Sequence, residues 1–317
     1  MSLALWFSPQ GSQSVGMGRA LAETSPAARA VFGTADEVLG WSVSQTCWTG
    51  PAERLNDTRQ TQPCLLTTSV AALRALEERG APTPAVVAGH SVGEFAALVA
   101  AGVLDLDGAL RLVARRGELM AAASAGQSGG MAAVIGLERD VVERVVASVG
   151  RPTQLVVAND NAPGQVVISG LRDALDAAVA SMRAAGARRI MPLAVSGAFH
   201  SPMMASVGEE LAVAFEAETW RDARVPVVSN VTAEPETDAD RIRALLAEQV
   251  RSPVEWVRGV TRMVADGVDT AIECGSGSAL VGMARRIAPS MRLGHVADPT
   301  SLDDAMGLIG ATARAGA

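Results

Sequence analysis

Five residues, Gly89-His90-Ser91-Val92-Gly93, join an apolar run, Ala85-Val86-Val87-Ala88, to a helix-forming one from Glu94 to Ala100. A Gly-x-Ser-x-Gly turn between strand and helix lifts the serine hydroxyl above the carboxyl edge of a sheet. Glycines flank it because so sharp a turn leaves no room for neighbouring side chains. The helix that starts there aims free N–H groups at negative charge forming beside Ser91. The chemistry this suggests is nucleophilic catalysis by Ser91. A serine hydroxyl is weak at its own pKa, so a base must stand within hydrogen-bond reach.

The chain holds three histidines, His90, His200 and His295. His90 adjoins the serine, but neighbouring side chains diverge on such a turn, so it is expected to pack or cap. His200 lies in Val195-Ser196-Gly197-Ala198-Phe199-His200-Ser201, at a junction between two units, where ligands commonly bind. His295, with Asp298 close behind it, occupies the late position that the base takes in α/β-hydrolases. The residues alone leave both bases open, and with them a second function: a serine hydrolase or thioesterase using Ser91 with His295.

Lysine and tyrosine are absent, so all 27 basic residues are arginine. That removes a phosphate-loop lysine, a Schiff-base lysine and a catalytic tyrosine. Cys47, Cys64 and Cys274 are scattered without metal-ligand spacing and read as buried thiols in a reducing compartment. No metal and no cofactor are expected. Arg115 and Arg116 sit side by side in a helical pattern, so one is expected to face inward and the other solvent.

The elements that must position these residues alternate strand and helix, which predicts an α/β fold with a mainly parallel sheet covered on both faces. Strand Leu3–Phe7 opens it, followed by a Gly/Ser/Gln loop and helical patterns over 19–23, 27–39 and 62–79. The elbow strand follows, then helices to about Ala101 and over 106–123. A Gly/Ser-rich link at 126–130 leads into strand 131–136, helix 138–149, strands 154–159 and 164–169, helix 171–185 and strand 188–194. That β-α-β-β-α-β order is the split unit of ferredoxin-like domains, with Asn159 to Gly164 as the hairpin between its middle strands. We therefore expect a large domain, 1–126 and 196–317, carrying an inserted small domain, 127–195. The large domain continues with helix 204–216, strand 226–229, helices 238–250 and 253–266, strand 268–273, helix 278–287 and strand 291–296. The Ala/Gly-rich end from Ala311 is expected to fray.

Read together, the motifs resemble the malonyl-CoA:acyl-carrier-protein transacylases and the related acyltransferase domains of polyketide synthases. The resemblance rests on Gln10-Gly11-Ser12-Gln13, the elbow with Glu94, Arg116-Gly117 with Met120, and Asn159 to Gly170. It continues through Gly197-Ala198-Phe199-His200-Ser201, Asn230-Val231-Thr232 and Gln249-Val250-Arg251-Ser252-Pro253-Val254-Glu255-Trp256. It implies an α/β-hydrolase-like core with a ferredoxin-like insertion. It further implies that Ser91 carries the acyl group as an ester and that His200 is base and acid. The main-chain carbonyl at Gln249 would orient His200, and backbone N–H groups of Gln10 and Val92 would form the oxyanion hole. Arg116 would clamp the carboxylate of a malonyl group, while Gly197 and Phe199 would shape the pocket against branched acyl chains. A guanidinium suits that clamp because its planar fork matches a carboxylate. An acyltransferase for a different acyl unit is the near alternative. The chain departs from the family in its first loop, where Ser8-Pro9 precede Gln10, and in Cys274-Gly275-Ser276-Gly277, where Gly-Pro-Gly is usual.

The expected partners are malonyl-CoA and an acyl carrier protein, whose phosphopantetheine supplies the accepting thiol. Both are anionic and this chain carries a net charge of −7, so contact would need a local basic patch such as Arg188-Arg189 or Arg285-Arg286. The same charge argues against a nucleic-acid partner. No apolar run reaches membrane-spanning length and the first residues lack a basic leader, so a cytoplasmic monomer is expected.

Overall fold

Every residue of the first strand, β1 (Leu3–Phe7), is buried, as expected of a strand covered on both faces. Its side chains alternate between two cores. Leu3, Leu5 and Phe7 join the larger cluster, and Ala4 and Trp6 join a second one on the opposite face of the sheet. A computed structural model describes residues 2–126, 128–149 and 153–315, with side chains up to 310.

Five helices follow β1: α1 (Arg19–Thr24), α2 (Pro26–Leu39), α3 (Val43–Thr49), α4 (Ala52–Leu55) and α5 (Thr58–Glu78). Short α3 and α4 were not evident from periodicity. The helix expected from 62 begins four residues earlier, because Asp57 caps it through the Arg59 N–H, and Pro63 falls inside it. Then come β2 (Val86–Gly89), α6 (Gly93–Ala101) and α7 (Leu106–Ser124), the last capped by Asp105. The middle of the chain forms β3 (Gly129–Ile135), α8 (Arg139–Ser148), β4 (Leu155–Ala162), β5 (Gln165–Leu171), α9 (Arg172–Ala184) and β6 (Arg189–Pro192). A 3-10 turn at Pro202–Met204 leads to α10 (Ala205–Phe215), β7 (Val227–Val228), β8 (Pro235–Glu236), α11 (Ala239–Gln249) and α12 (Trp256–Ala265). The chain ends with β9 (Thr270–Cys274), α13 (Ala279–Ile287), β10 (Arg292–Val296) and α14 (Pro299–Ala315).

The first sheet runs β10-β9-β1-β2-β7-β8, parallel throughout except for β8, which returns antiparallel beside β7. The second sheet is antiparallel with order β4-β5-β3-β6, the split β-α-β-β-α-β arrangement expected from the sequence. Its core is separate and faces α8 and α9. Three expectations need correction. Asn159 to Ala162 belong to β4, so the hairpin turn is only Pro163-Gly164. Gly129 and Gly130 start β3 and are not part of a link; Gln127 lies outside the described residues. Helix α14 was not anticipated, and it keeps Ala311 to Ala315 helical. Residues 316 and 317 of the expected frayed end, and the side chains from 311, lie outside the described residues.

While still paired with β5, the end of β4 also bridges to the segment before α12. Asp160 donates its N–H to the Val254 carbonyl at 3.0 Å, and Val254 donates to Ala158 at 2.8 Å. Arg139 of α8 grips the Glu255 carboxylate in a two-bond fork and lies 3.4 Å from Asp160. These bonds fix the cavity-facing end of β4 to the entrance of α12.

The elbow packs against the carboxyl end of β1. A Cβ at Gly93 would lie 2.2 Å from the Phe7 carbonyl oxygen, and one at Gly89 would lie 2.0 Å from the Gly93 carbonyl carbon. Both contacts are backbone on backbone, so nothing flexible can yield. Gly93→Ala should therefore destabilise the fold by about 3 kcal/mol or more, seen as a lowered urea midpoint. Gly33→Ala is the control. Gly33 lies in α2 with open space around a new Cβ, and the change should be neutral or stabilising by about 0.5–1 kcal/mol.

Candidate functional site

Ser91 stands between β2 and α6 with φ at +54°, a conformation that side chains other than glycine rarely adopt. Asn230, in the loop after β7, locks that turn. Its Oδ1 accepts the Ser91 N–H at 2.7 Å and its Nδ2 donates to the Gly89 carbonyl at 2.6 Å. The held serine presents Oγ to His200 Nε2 at 2.7 Å.

His200 also has positive φ, +55°, so both members of the pair are set by strained backbone. Its Nδ1 lies 3.0 Å from the Gln249 carbonyl and 3.1 Å from the Ser252 carbonyl. Carbonyl oxygens only accept, so Nδ1 carries the hydrogen and Nε2 of the neutral ring offers its lone pair to the serine O–H. Burial and the nearby Arg116 cation push the imidazole pKa from 6.5 down to about 3. The neutral, correctly oriented tautomer is thus held across physiological pH.

Arg116 and Arg115 divide as expected. Arg115 is exposed and paired with Glu118 and Glu210, whereas Arg116 is 1% exposed. Its guanidinium reaches Ser91 Oγ at 3.1 Å, Gln249 Oε1 at 3.0 Å and Gln62 Oε1 at 2.7 Å. None of these direct partners is a carboxylate, and Nε has no partner among the described residues. Burial lowers its pKa to about 10, which leaves it cationic at neutral pH. A buried cation bonded only to neutral oxygens, beside a serine hydroxyl, is suited to holding an anion.

Val92 follows Ser91 in the chain, and Gln10 lines the same cavity as Ser91. Among the described residues neither backbone N–H meets an acceptor within the protein, so both can serve an oxyanion. A cavity of about 400 Å³ opens here, lined by Gln10, His90, Ser91, Met120, Asn159 and Phe199 among others. Elements around both sheets contribute to it. Gly197, in contrast, does not line it: a Cβ there would meet Ser124 Oγ at 1.9 Å, so its small size serves the packing of α7.

His90 packs at 5.7 Å from the Trp256 ring and bonds Asn161 Oδ1 through Nε2 at 2.8 Å. His295 is remote from Ser91. It sits on the edge strand β10, separated from β2 by β9 and β1, or roughly 14 Å across three strand spacings. Asp298 caps the start of α14 through the Ser301 N–H. Of the two bases left open by the residues, His200 is the one brought to Ser91. Arg286 is tied to Pro163 and Gln165 at the hairpin of the second sheet. Among the described residues no cluster of His, Cys, Asp and Glu could hold a metal ion, and no helix is long and apolar enough to cross a membrane.

Four roles escaped sequence reasoning. Asn230, Ser252 and Glu94 stood in motifs without an assigned task. Gln62 carried a readable signal, a polar residue three and four positions before Leu65 and Leu66 on a buried helix face.

The acyl transferase domain family matches residues 6–296. The chain belongs to the acyl transferase domain family. It is an acyltransferase by that membership. It is 40% identical to the malonyl CoA-acyl carrier protein transacylase of Escherichia coli K12, over 96% of this chain and 99% of that protein. The Bacillus subtilis 168 protein of the same name is 41% identical, over 95% of each. A solved complex of a type II PKS acyl-carrier protein with its malonyl-transacylase superposes with a TM-score of 0.94. It shares 39% identity, covering 97% of this chain and 99% of that one.

The ionisation of His200 is open to direct measurement. In an NMR titration its imidazole should stay neutral to near pH 3, and His90, held at about 4 by burial, should behave similarly. Substituting Arg116 by Gln should raise the His200 value, since a repelling cation is removed. Unfolded histidines take up protons below about 6.5, so the cost of keeping both neutral is absent above that pH and grows as pH falls. A His200 value near 6.5 would contradict the burial described here.

Proposed function

We propose that this acyltransferase moves a malonyl group from coenzyme A to the phosphopantetheine thiol of an acyl carrier protein, through an ester on Ser91. The observation that carries the reading is the buried Arg116 guanidinium 3.1 Å from Ser91 Oγ. It offers an acyl group's free carboxylate a charged fork next to the reacting oxygen.

The reaction runs in two matching halves. In the first, Ser91 Oγ attacks the thioester carbonyl while its proton passes to His200 Nε2. The oxyanion formed accepts N–H bonds from Val92 and Gln10. On collapse the carbon–sulfur bond breaks, and His200 returns the proton to the departing sulfur. In the second half the carrier thiol gives its proton to His200 and attacks the ester, and Ser91 leaves with that proton. The Gln249 and Ser252 carbonyls keep the ring oriented throughout. No metal and no resident cofactor enter the scheme. Phe199, in the cavity wall next to His200, would limit the acyl chain. The proposed site takes malonyl-CoA and carrier protein in turn, in a cytoplasmic, monomeric enzyme.

Two measurements test this. Incubation with malonyl-CoA should add the mass of one malonyl group to the intact protein, and Ser91→Ala should abolish the adduct. Arg116→Ala should lower kcat/KM for malonyl transfer by roughly thirtyfold to several thousandfold, the loss expected when a buried charge pair is broken. Acetyl transfer should be spared or improved. Equal losses with both acyl groups would make Arg116 structural and defeat the malonyl assignment.

A further inference from the structure

Glu94, three residues beyond Ser91, has no part in the transfer just described, yet it is 3% exposed in the first turn of α6. A carboxylate that deep requires a reason, because burial opposes its charge. Its contacts lead straight to the site. Gln249 Nε2 donates to Glu94 Oε2 at 2.6 Å and to the Ser91 carbonyl at 3.0 Å, while Gln249 Oε1 accepts from Arg116 Nη2 at 3.0 Å. The side-chain amide of Gln249 thus lies between a buried cation and a buried carboxyl, bonded to both. With a donor on one side and an acceptor on the other, its orientation is fixed. The Asn230 N–H also approaches Glu94 Oε2, at 3.4 Å.

We propose that Glu94 is a specificity-determining residue, the resident counter-charge of Arg116, whose ionisation sets how strongly that cation holds a substrate carboxylate. This rests on the reading of Arg116 as the carboxylate clamp. Two anions near one buried cation compete for it. A malonyl carboxylate on Arg116 therefore favours the protonated form of Glu94, and by reciprocity an ionised Glu94 weakens the grip on the malonyl group. The competition falls in an accessible range, since burial raises the Glu94 carboxyl to about 7 despite the opposing pull of Gln249, Asn230 and Arg116. Around it, α7 presents Arg116 as the charged group, α11 the Gln249 amide and the loop after β7 the Asn230 N–H. The neighbouring His90 and His200 are neutral at this pH. An acetyl group has no carboxylate and is indifferent to the competition.

The test is the ratio of kcat/KM for malonyl-CoA to that for acetyl-CoA, measured between about pH 6 and 9, the range around a carboxyl so raised. In the native protein the ratio should fall as pH rises through 7. The thiol leaving group is common to both substrates and cancels. In Glu94→Gln the ratio should be flat with pH and, at pH about 8, higher than native by roughly fivefold or more. A ratio with the same value and pH dependence in both proteins would overturn the role of Glu94 and leave the malonyl assignment standing. A native protein with no malonyl preference at any pH would overturn the clamp itself. Should Glu94→Gln fail to fold, the native protein suffices. Near pH 7, acylation by malonyl-CoA should take up a fraction of a proton that acylation by acetyl-CoA does not, read with an indicator dye. Equal proton counts would overturn the proposal.

Discussion

The constraint on which the site turns is a buried guanidinium. Moving a cation out of water is costly unless its hydrogen bonds are met, and Arg116 meets most of its own with Gln62, Gln249 and Ser91 oxygens. Its position also affects its neighbours. Its field helps hold His200 neutral, and its carboxyl counterpart, Glu94, is reached only through an amide. Helix α5 supplies Gln62 from a face otherwise buried against the core, and α11 supplies Gln249 from its last residue. The packing of three helices, α5, α7 and α11, is thereby tied to one side chain's need for partners.

Backbone strain is the second constraint, and it serves the same geometry. Ser91 and His200 both sit at positive φ, each costing on the order of 1–3 kcal/mol unless the surroundings compel it. Asn230 compels the first by bonding both ends of the turn, and the His200 N–H is anchored by the Val250 carbonyl at 3.0 Å. The Val250 carbonyl and the Gln249 carbonyl come from consecutive residues. One short stretch at the end of α11 thus holds the histidine by backbone and by ring.

Much of this was legible in the chain because it repeats or punctuates. Strand and helix periods placed β1, β2 and the β-α-β-β-α-β unit, and Gly89 and Gly93 marked the elbow because a Cβ has no room there. The short helices α3 and α4 were not legible, since four to seven residues span too few turns for periodicity to declare itself. Asn159 to Ala162 misled as turn-forming residues. Their turn propensity yields to the bridge between β4 and Val254, a contact nearly a hundred residues away in sequence. The residues taken alone left the choice between His200 and His295 open, because strand order in the sheet decides it, and only the motif resemblance pointed to His200. His295 ends on the far edge, three strands from the elbow.

Among the described residues His200 Nδ1 meets two carbonyls and no carboxylate, which follows from the same electrostatics. In a Ser-His-Asp arrangement the acid orients the imidazole and stabilises its protonated form. A carboxylate at Nδ1 here would stand near Arg116 and compete for its charge, leaving less for a substrate anion. The two carbonyls, of Gln249 and Ser252, fix the same tautomer with dipoles alone. The imidazole is then less basic than in a triad. For the proposed reaction that suffices, because each half returns the proton it takes, and the groups expelled, a thiol in the first half and the serine hydroxyl in the second, both leave more readily than an amine. An enzyme that must bind an acyl carboxylate beside its nucleophile gains by orienting its histidine without a second buried acid in contact.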